Sequence, residues 1–171
     1  LGLEPDLDCH NPQLAVAALK QAALVVMMTP FKHEAAMDYA DVLLPIAPFT
    51  ETSGSYVSTE GRLQSFSGVC RPLGDTRPAW KVLRVLGNVL DIAGFDYDSS
   101  EQVRDEIVPQ GTVFVEGLNN AISGAVFSLS APETALQRVA DVPIYFADAL
   151  VRRATALQQT SDAAKPVARM S

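Results

Sequence analysis

Two short apolar runs, separated by about a dozen residues, place the strongest constraint on how this chain can fold. The first run spans Leu24 to Thr29 and is ended by Pro30, and the second is Asp41-Val42-Leu43-Leu44-Pro45. Runs that are short and apolar on both faces are typical of strands buried in a parallel sheet. The intervening residues, with a short helical stretch at 33–39, supply the minimum length for a right-handed crossover. The sequence therefore predicts a βαβ unit.

Three helices are predicted around this unit, each from an apolar stripe of helical spacing joined to a start or stop signal. Asn11-Pro12 supplies an N-cap and a proline at the first helical position. Either Ser99 or Ser100 can cap the third helix, and Pro109 stops it. The predicted helices span about 12–22, 79–91 and 100–108.

The segment at about 49–68 predicts a loop followed by a short β-hairpin, because glycines bracket β-prone residues there. Glu51 and Glu60 flank this glycine-containing loop directly after a strand's carboxyl end, where ligands usually bind in open α/β sheets. The segment is therefore a candidate for a former or actual binding site. The alternative is that Glu60 and Arg62 form an ion pair or cap backbone groups of the hairpin.

Patterns weaken toward the C-terminus. We predict short strands near 113–115 and 125–129 and a helix near 133–140. The 4, 4, 3 spacing of apolar residues from Phe146 to Leu157 predicts a further helix over 144–158. One α/β piece over 1–160 and a linker or disordered tail over 161–171 are expected. The missing initiator Met and the unpatterned tail indicate a piece of a longer protein.

Composition and charge argue against several classes of protein. A net charge of −7 disfavours binding to nucleic acid or anionic lipid. The longest apolar run, Ala22 to Met28, is far shorter than the roughly 20 residues that span a bilayer. The first residues do not show the basic, apolar and small-residue succession of a signal peptide. We therefore expect no direct membrane insertion and predict that the piece is soluble.

Residues for catalysis or metal binding are scarce. Cys9 and Cys70 lie far apart without a CxxC motif, so both are predicted to be free thiols. The chain has two Cys and two His in total, fewer thiolates than an iron–sulfur cluster usually needs. Only Cys9 and His10 are adjacent, so the four potential zinc ligands are not grouped along the sequence. GxSxG, GxGxxG and P-loop motifs are missing from the sequence. We therefore predict no catalytic residue, no metal ligand and no cofactor in this segment.

Residues of the second apolar run and the hairpin also form a family pattern. They resemble the "ADVVLP … E..GT..N.EGR.Q" signature of the molybdopterin oxidoreductase superfamily, with Ser58 where that pattern has Asn. The matching residues are Asp41–Pro45, Phe49–Glu51, Gly54, Tyr56-Val57 and Glu60–Gln64. The resemblance implies that five of them, Glu51, Gly54, Glu60, Gly61 and Arg62, belong to a vestigial cofactor site.

Two further blocks resemble one branch of that superfamily, the large iron–sulfur subunit of bacterial NADH:quinone oxidoreductase, respiratory complex I. They are Arg77–Asn88, with Trp80–Arg84 the most specific part, and the segment at 143–160, which contains Val151-Arg152-Arg153. The resemblance implies a parent enzyme that passes electrons from NADH to quinone, coupled to proton translocation. Its 4Fe-4S and 2Fe-2S clusters would lie outside this segment, which would be structural.

The same resemblance implies partners and location. The segment would contact the rest of its own subunit and other complex I subunits of the peripheral arm. It would lie at the cytoplasmic face of the bacterial inner membrane, peripherally, through the complex. The isolated chain is expected to be inactive.

From these patterns we predict an α/β fold: part of a Rossmann-like, mainly parallel sheet with flanking helices and a β-hairpin excursion. Two other functions remain open. One is a fragment of a true molybdopterin-dependent oxidoreductase such as a formate dehydrogenase, with Glu51 to Arg62 near the cofactor. The other is an acidic interaction module without a redox role.

Overall fold

The computed structural model describes residues 1–109, 112–119 and 144–163, and the chain divides into two compact units, 1–121 and 122–171. Helices α1 to α5 span Pro5–Asp8, Pro12–Gln21, Ala79–Val89, Ser100–Ile107 and Thr155–Gln158. Strands β1 to β4 span Val26–Thr29, Val42–Pro45, Gly54–Val57 and Leu63–Phe66. The α/β prediction is confirmed. The predicted boundary at 160 stays a prediction.

The predicted βαβ unit is confirmed, with a 3₁₀ helix in place of an α-helix in its crossover. Strands β1 and β2 pair in parallel, with Val26 opposite Val42 and Thr29 opposite Pro45. The connection between them contains the 3₁₀ helix Glu34–Asp38. Its short length follows from the short spacing of the two apolar runs. The buried core of this unit consists of Val25, Met27, Ala36 and Tyr39.

Asp41 fixes where the two strands begin. Its carboxylate Oδ2 accepts a hydrogen bond from the backbone N–H of Val25 at 2.7 Å. The backbone N–H groups of Asp41 and Val42 in turn donate to the carbonyl of Val25, at 3.0 and 3.2 Å. A charged acceptor makes the Val25–Asp41 bond stronger than a neutral one. This closed set of three bonds anchors the parallel register.

A side-chain pair joins the N-terminal helix α1 to this unit. His33 Nε2 lies 2.8 Å from Asp6 Oδ1, and both side chains are largely buried. The adjacent phenol of Tyr39 is buried, and its oxygen has no hydrogen-bond partner within the described residues. Burial raises the pKa of Tyr39 above its usual value, and the nearby carboxylates of Asp6 and Glu4 add to the rise.

The predicted capping residues of two helices are confirmed. Asn11 Oδ1 accepts the backbone N–H of Leu14 at 3.0 Å at the start of α2. Ser99 Oγ accepts the N–H of Gln102 at 3.3 Å at the start of α4. Glu101 lies in the first turn of α4, and backbone N–H bonding lowers the pKa of its carboxyl. These caps supply acceptors for amide groups that have no intrahelical partner.

Helix α3 begins where predicted and ends two residues earlier, at Val89. The Ile92 N–H then donates to the Gly87 carbonyl at 2.9 Å, and Asp91 adopts a left-handed φ of 54°. This turn brings Phe95 back against the helix. A Cβ atom built on Gly87 would lie 2.3 Å from Phe95 Cγ. The helix therefore ends in a close contact that only glycine allows.

The strand predicted near 113–115 is wrong. The residues form the 3₁₀ helix Phe114–Gly117, in which the Leu118 N–H donates to the Val115 carbonyl at 3.1 Å. Val115 and Leu118 pack against Gly61 instead of pairing with another strand. The predicted strand at 125–129 and helix at 133–140 lie outside the described residues.

The continuous helix predicted over 144–158 is also wrong. In the second unit the described residues form 3₁₀ helices Ile144–Phe146 and Val151–Arg153, then α5. Asp148 Oδ1 accepts the N–H groups of Leu150 and Val151, at 2.8 and 3.1 Å, which starts a new turn there. A short aspartate side chain competes with the helical carbonyls for these donors.

Both cysteines are free thiols, as predicted. Over the described ranges of the chain, every helix falls short of the length and apolar character that crossing a bilayer demands.

Gly87→Ala tests the end of α3. Alanine favours a helix over glycine by about 1 kcal/mol, but overpacking against Phe95 costs about 1–3 kcal/mol. We expect a net loss of unfolding free energy in urea denaturation, whereas Asn88→Ala changes it little. In a Phe95→Ala background the same glycine substitution should stabilise the protein. A loss that persists in that background would contradict the contact.

Candidate functional site

The predicted hairpin forms the outer wall of the candidate site. Strands β3 and β4 pair in antiparallel fashion, with Gly54 opposite Phe66 and Val57 opposite Leu63. The rings of Tyr56 and Phe66 stack with their centroids 5.4 Å apart. A Cβ atom on Gly54 would lie 3.0 Å from Phe66 Cζ. Gly54 thus leaves room for the aromatic ring of Phe66.

Ser58 closes the turn between the two strands. Its N–H donates to the Arg62 carbonyl at 2.9 Å, and its carbonyl accepts the Gly61 N–H at 2.9 Å. Its Oγ accepts the Arg62 N–H at 3.2 Å. The side chains of Glu60 and Arg62 are exposed and form no ion pair with each other. The turn therefore depends on a serine hydroxyl and backbone groups, and the alternative Glu60–Arg62 pair is absent.

Gly61 is the most enclosed of the candidate residues. It is buried and adopts a left-handed φ of 77°. A Cβ atom there would lie 3.0 Å from the backbone N of Val115 and 3.2 Å from Leu118 Cδ1. The face of the turn at Gly61 is therefore covered by the chain's own residues.

Glu51 connects the loop to the segment that follows the hairpin. It ends the 3₁₀ helix Phe49–Glu51, and its Oε2 accepts the backbone N–H of Leu73 at 2.9 Å. The neighbouring Thr50 carbonyl accepts the N–H groups of Val69 and Cys70, at 3.0 and 3.3 Å. The Glu51 carboxylate is thus engaged in holding two loops together.

An apolar cleft of about 350 Å³ lies between the hairpin, α4 and the start of α3. Ser53 Oγ and Ser100 Oγ are 2.8 Å apart, and Arg104 Nη1 donates to Ser65 Oγ at 3.1 Å, so two hydroxyl contacts link α4 to the hairpin. The apolar and aromatic side chains that line the cleft include Tyr56, Val57, Leu63, Phe66, Trp80, Val103, Ile107 and Val108. The contribution of α4 to this cleft was not predicted, because the apolar stripe of that helix indicates a buried face but not the element that covers it.

The cleft is suited to packing against apolar groups rather than to acid–base chemistry. Arg104 is its one charged lining residue, and Arg104 Nη2 pairs with Asp105 Oδ1 at 2.6 Å. In the described part of the chain, no group of three or more His, Cys, Asp or Glu side chains could hold a metal ion. The residues that line this cleft therefore include no acid and base placed together for proton transfer.

Gly61→Ala and Gly74→Ala form a matched pair that tests the covered turn. Both glycines adopt a left-handed φ, but a Cβ on Gly74 would meet nothing within 4 Å. Each substitution costs about 1–2 kcal/mol for the backbone conformation. We expect Gly61→Ala to lose about 1–3 kcal/mol more, from overpacking against Val115, in urea denaturation. Equal losses would contradict the covering of Gly61.

Comparison with known proteins identifies relatives of this part of the chain. Residues 2–89 match the family model "Molybdopterin oxidoreductase", which covers just over half of the chain. A Staphylococcus aureus (strain MRSA252) protein named "Putative formate dehydrogenase" is 33% identical over 97 residues. A protein of the same name from strain USA300 is 34% identical over 99 residues.

Each alignment covers 57% of this chain and 10% of the relative, so the chain spans about a tenth of the length of these relatives. The family match includes both strands of the parallel sheet, the hairpin and helix α3. The chain therefore belongs to the molybdopterin oxidoreductase family.

Proposed function

We propose that this chain is a structural, cofactor-free part of a redox enzyme, the large iron–sulfur subunit of bacterial NADH:quinone oxidoreductase. Family membership supports the redox parent. The observation that carries the structural role is the covered turn: Gly61 lies beneath Val115 and Leu118. In this role the segment holds neighbouring parts of the subunit in position, and electrons pass through clusters elsewhere.

The family name implies a molybdopterin group, and the candidate loop fits such a group poorly. A ligand approaching the turn would need the space at Gly61 that the Val115 backbone fills. The carboxylate of Glu51 is engaged by the Leu73 amide. Ser58, which replaces the Asn of the family pattern, is engaged in closing the turn. These contacts support a loop that serves the fold.

The exposed apolar face of α3 supports contacts with the rest of the subunit. Leu83 and Leu86 are 42% and 41% exposed, and Leu90, directly after the helix, is 59% exposed. Side chains of this kind, grouped on one helix face, usually mark a surface that another protein segment covers. We infer that this face packs against its own subunit or against another subunit of the peripheral arm.

The choice of NADH:quinone oxidoreductase rests on sequence resemblance in two blocks, Trp80–Arg84 and Val151–Arg153. In the first block, Lys81 Nζ lies 5.3 Å from the centroid of the Trp80 ring, a favourable cation–π distance. In the second, Arg153 Nη1 donates to the Ala149 carbonyl at 2.8 Å. Under this proposal the segment lies peripherally at the cytoplasmic face of the inner membrane.

A molybdenum-dependent formate dehydrogenase is the second candidate, and the similarity to the two Staphylococcus aureus proteins of that name favours it. In that case the loop from Glu51 to Arg62 would lie near the molybdopterin group. The two candidates differ in metal content and in electron donor, so one preparation distinguishes them.

Purification of the full-length protein that contains this chain, from its native membranes, tests the proposal. We expect iron without stoichiometric molybdenum in elemental analysis, together with quinone reduction by NADH. The clusters outside this segment account for the iron. Stoichiometric molybdenum with formate-dependent electron transfer would contradict the proposal and support the second candidate.

Arg62→Ala in the full-length protein separates a structural loop from a ligand-binding one. The Arg62 side chain is exposed. Within the described residues, Arg62 forms hydrogen bonds only through its backbone N–H and carbonyl groups. We expect electron transfer and assembly to match those of Lys20→Ala, which removes an equal charge from exposed Lys20 on α2. Lost activity in a fully assembled Arg62→Ala protein would contradict the structural role.

A further inference from the structure

A second cleft, of about 490 Å³, shares Thr52, Ser53 and Trp80 with the first. Its walls come from the loop at 51–53, the segment at 68–72 and the start of α3. Trp80 lines both clefts. Glu51 is the one residue of the family pattern that lines this cleft, and the proposed structural role does not account for the other lining residues.

The charge of this cleft is opposite to that of the chain. Three cationic side chains line it, Arg71, Arg77 and Lys81, against one carboxylate, Glu51. The lining therefore carries a net charge of +2, whereas the whole chain carries −7. Within the described residues none of the three cations forms an ion pair. Like charges gathered in a concave site repel one another unless an anion joins them.

Two of the three cations, Arg77 and Lys81, are held in ways that leave donors available. Arg77 uses Nη1 for the carbonyls of Gly74 and Thr76, at 3.2 and 2.7 Å, which orients the guanidinium. Lys81 lies above the Trp80 ring, which stabilises its charge without accepting its protons in a conventional hydrogen bond. The one carboxylate, on Glu51, already accepts the Leu73 amide. The site thus combines fixed positive charge with unused N–H donors.

These features favour a phosphate group as the ligand. A phosphate monoester carries about −1.5 to −2 charges near pH 7, which matches the net charge of the lining. Guanidinium groups pair with phosphate oxygens through two parallel hydrogen bonds, and a lysine adds a point charge. A ligand with a single carboxylate would neutralise only half of the net charge of the lining. No side chain caps the N-terminus of α3, so its positive end adds to the field of the cleft.

We propose that the cleft bounded by Arg71, Arg77 and Lys81 binds the phosphate group of a small molecule. This site goes beyond the structural role and does not depend on which oxidoreductase contains the chain. Trp80 is the single tryptophan of the chain and lines the cleft, so its fluorescence reports binding there directly.

The test is a titration of the 171-residue chain with inorganic phosphate at constant ionic strength, followed by Trp80 fluorescence and by the melting temperature. We expect a saturable fluorescence change and a rise in melting temperature. Arg71→Ala combined with Lys81→Ala should weaken binding at least about tenfold, since a bond to a charged group contributes about 1.5–3 kcal/mol. Lys20→Ala, with one charge removed elsewhere, should bind as the unmodified chain does.

Glycerol 3-phosphate, as a further probe, identifies the source of the phosphate. Glycerol 3-phosphate that binds more tightly than inorganic phosphate would assign the cleft to an organic phosphate, and equal binding would assign it to the free ion. Both results support the proposal. It is overturned if chloride gives the same response, if Lys20→Ala weakens binding as much as the double variant, or if a glutamate-rich peptide binds more tightly than either phosphate.

Discussion

The structure of the first unit depends on the closed set of hydrogen bonds between Val25 and Asp41. Asp41 is the residue at which the chain returns to the sheet, and its carboxylate and backbone both bond to Val25. With this point fixed, each residue of β1 faces one residue of β2, and Val25, Met27 and Tyr39 share one core. The chain that leaves β2 is then held in turn, because the Ala47 N–H donates to the Arg77 carbonyl at 2.9 Å. In the sequence, the hairpin lies between Ala47 and Arg77, the two residues that this bond joins.

Local signals in the sequence predicted those parts of the fold that local physics determines. Asn11 and Ser99 cap helices because their side chains reach backbone donors within three residues. The parallel strands follow from two apolar runs too short for helices. The strand error near Val115 arose where a nonlocal contact decides, since nothing near Val115 indicates that it covers Gly61. The helix error over 144–158 arose from a local competition: the apolar spacing from Phe146 to Leu157 outweighed the aspartate signal at Asp148, which starts a new turn.

The candidate site shows the same division between local and nonlocal information. The sequence correctly predicted a hairpin and a turn at Gly54 to Arg62, since glycine placement and alternation are local. It did not reveal that Glu51 bonds to Leu73 or that α4 contributes a wall of the apolar cleft. It also gave no sign that Arg71, Arg77 and Lys81 share one cleft, because their spacing follows no helix or strand period. Residue types suggested which side chains could bind a ligand. Tertiary contacts decided which of those side chains already bond within the protein, as Glu51 does with the Leu73 amide.

We infer that the loop of the family pattern serves the fold in this chain, because Val115 and Leu118 cover the turn at Gly61. An electron cryomicroscopy map of the full-length protein, at a resolution that distinguishes side chains, would show whether this turn is closed in the assembled subunit. We predict that Val115 and Leu118 contact Gly61 there, with no ligand density against the turn from Ser58 to Arg62. Density for a molybdopterin group in contact with Gly61 or Arg62, with residues 114–118 displaced, would show instead that the loop binds the cofactor.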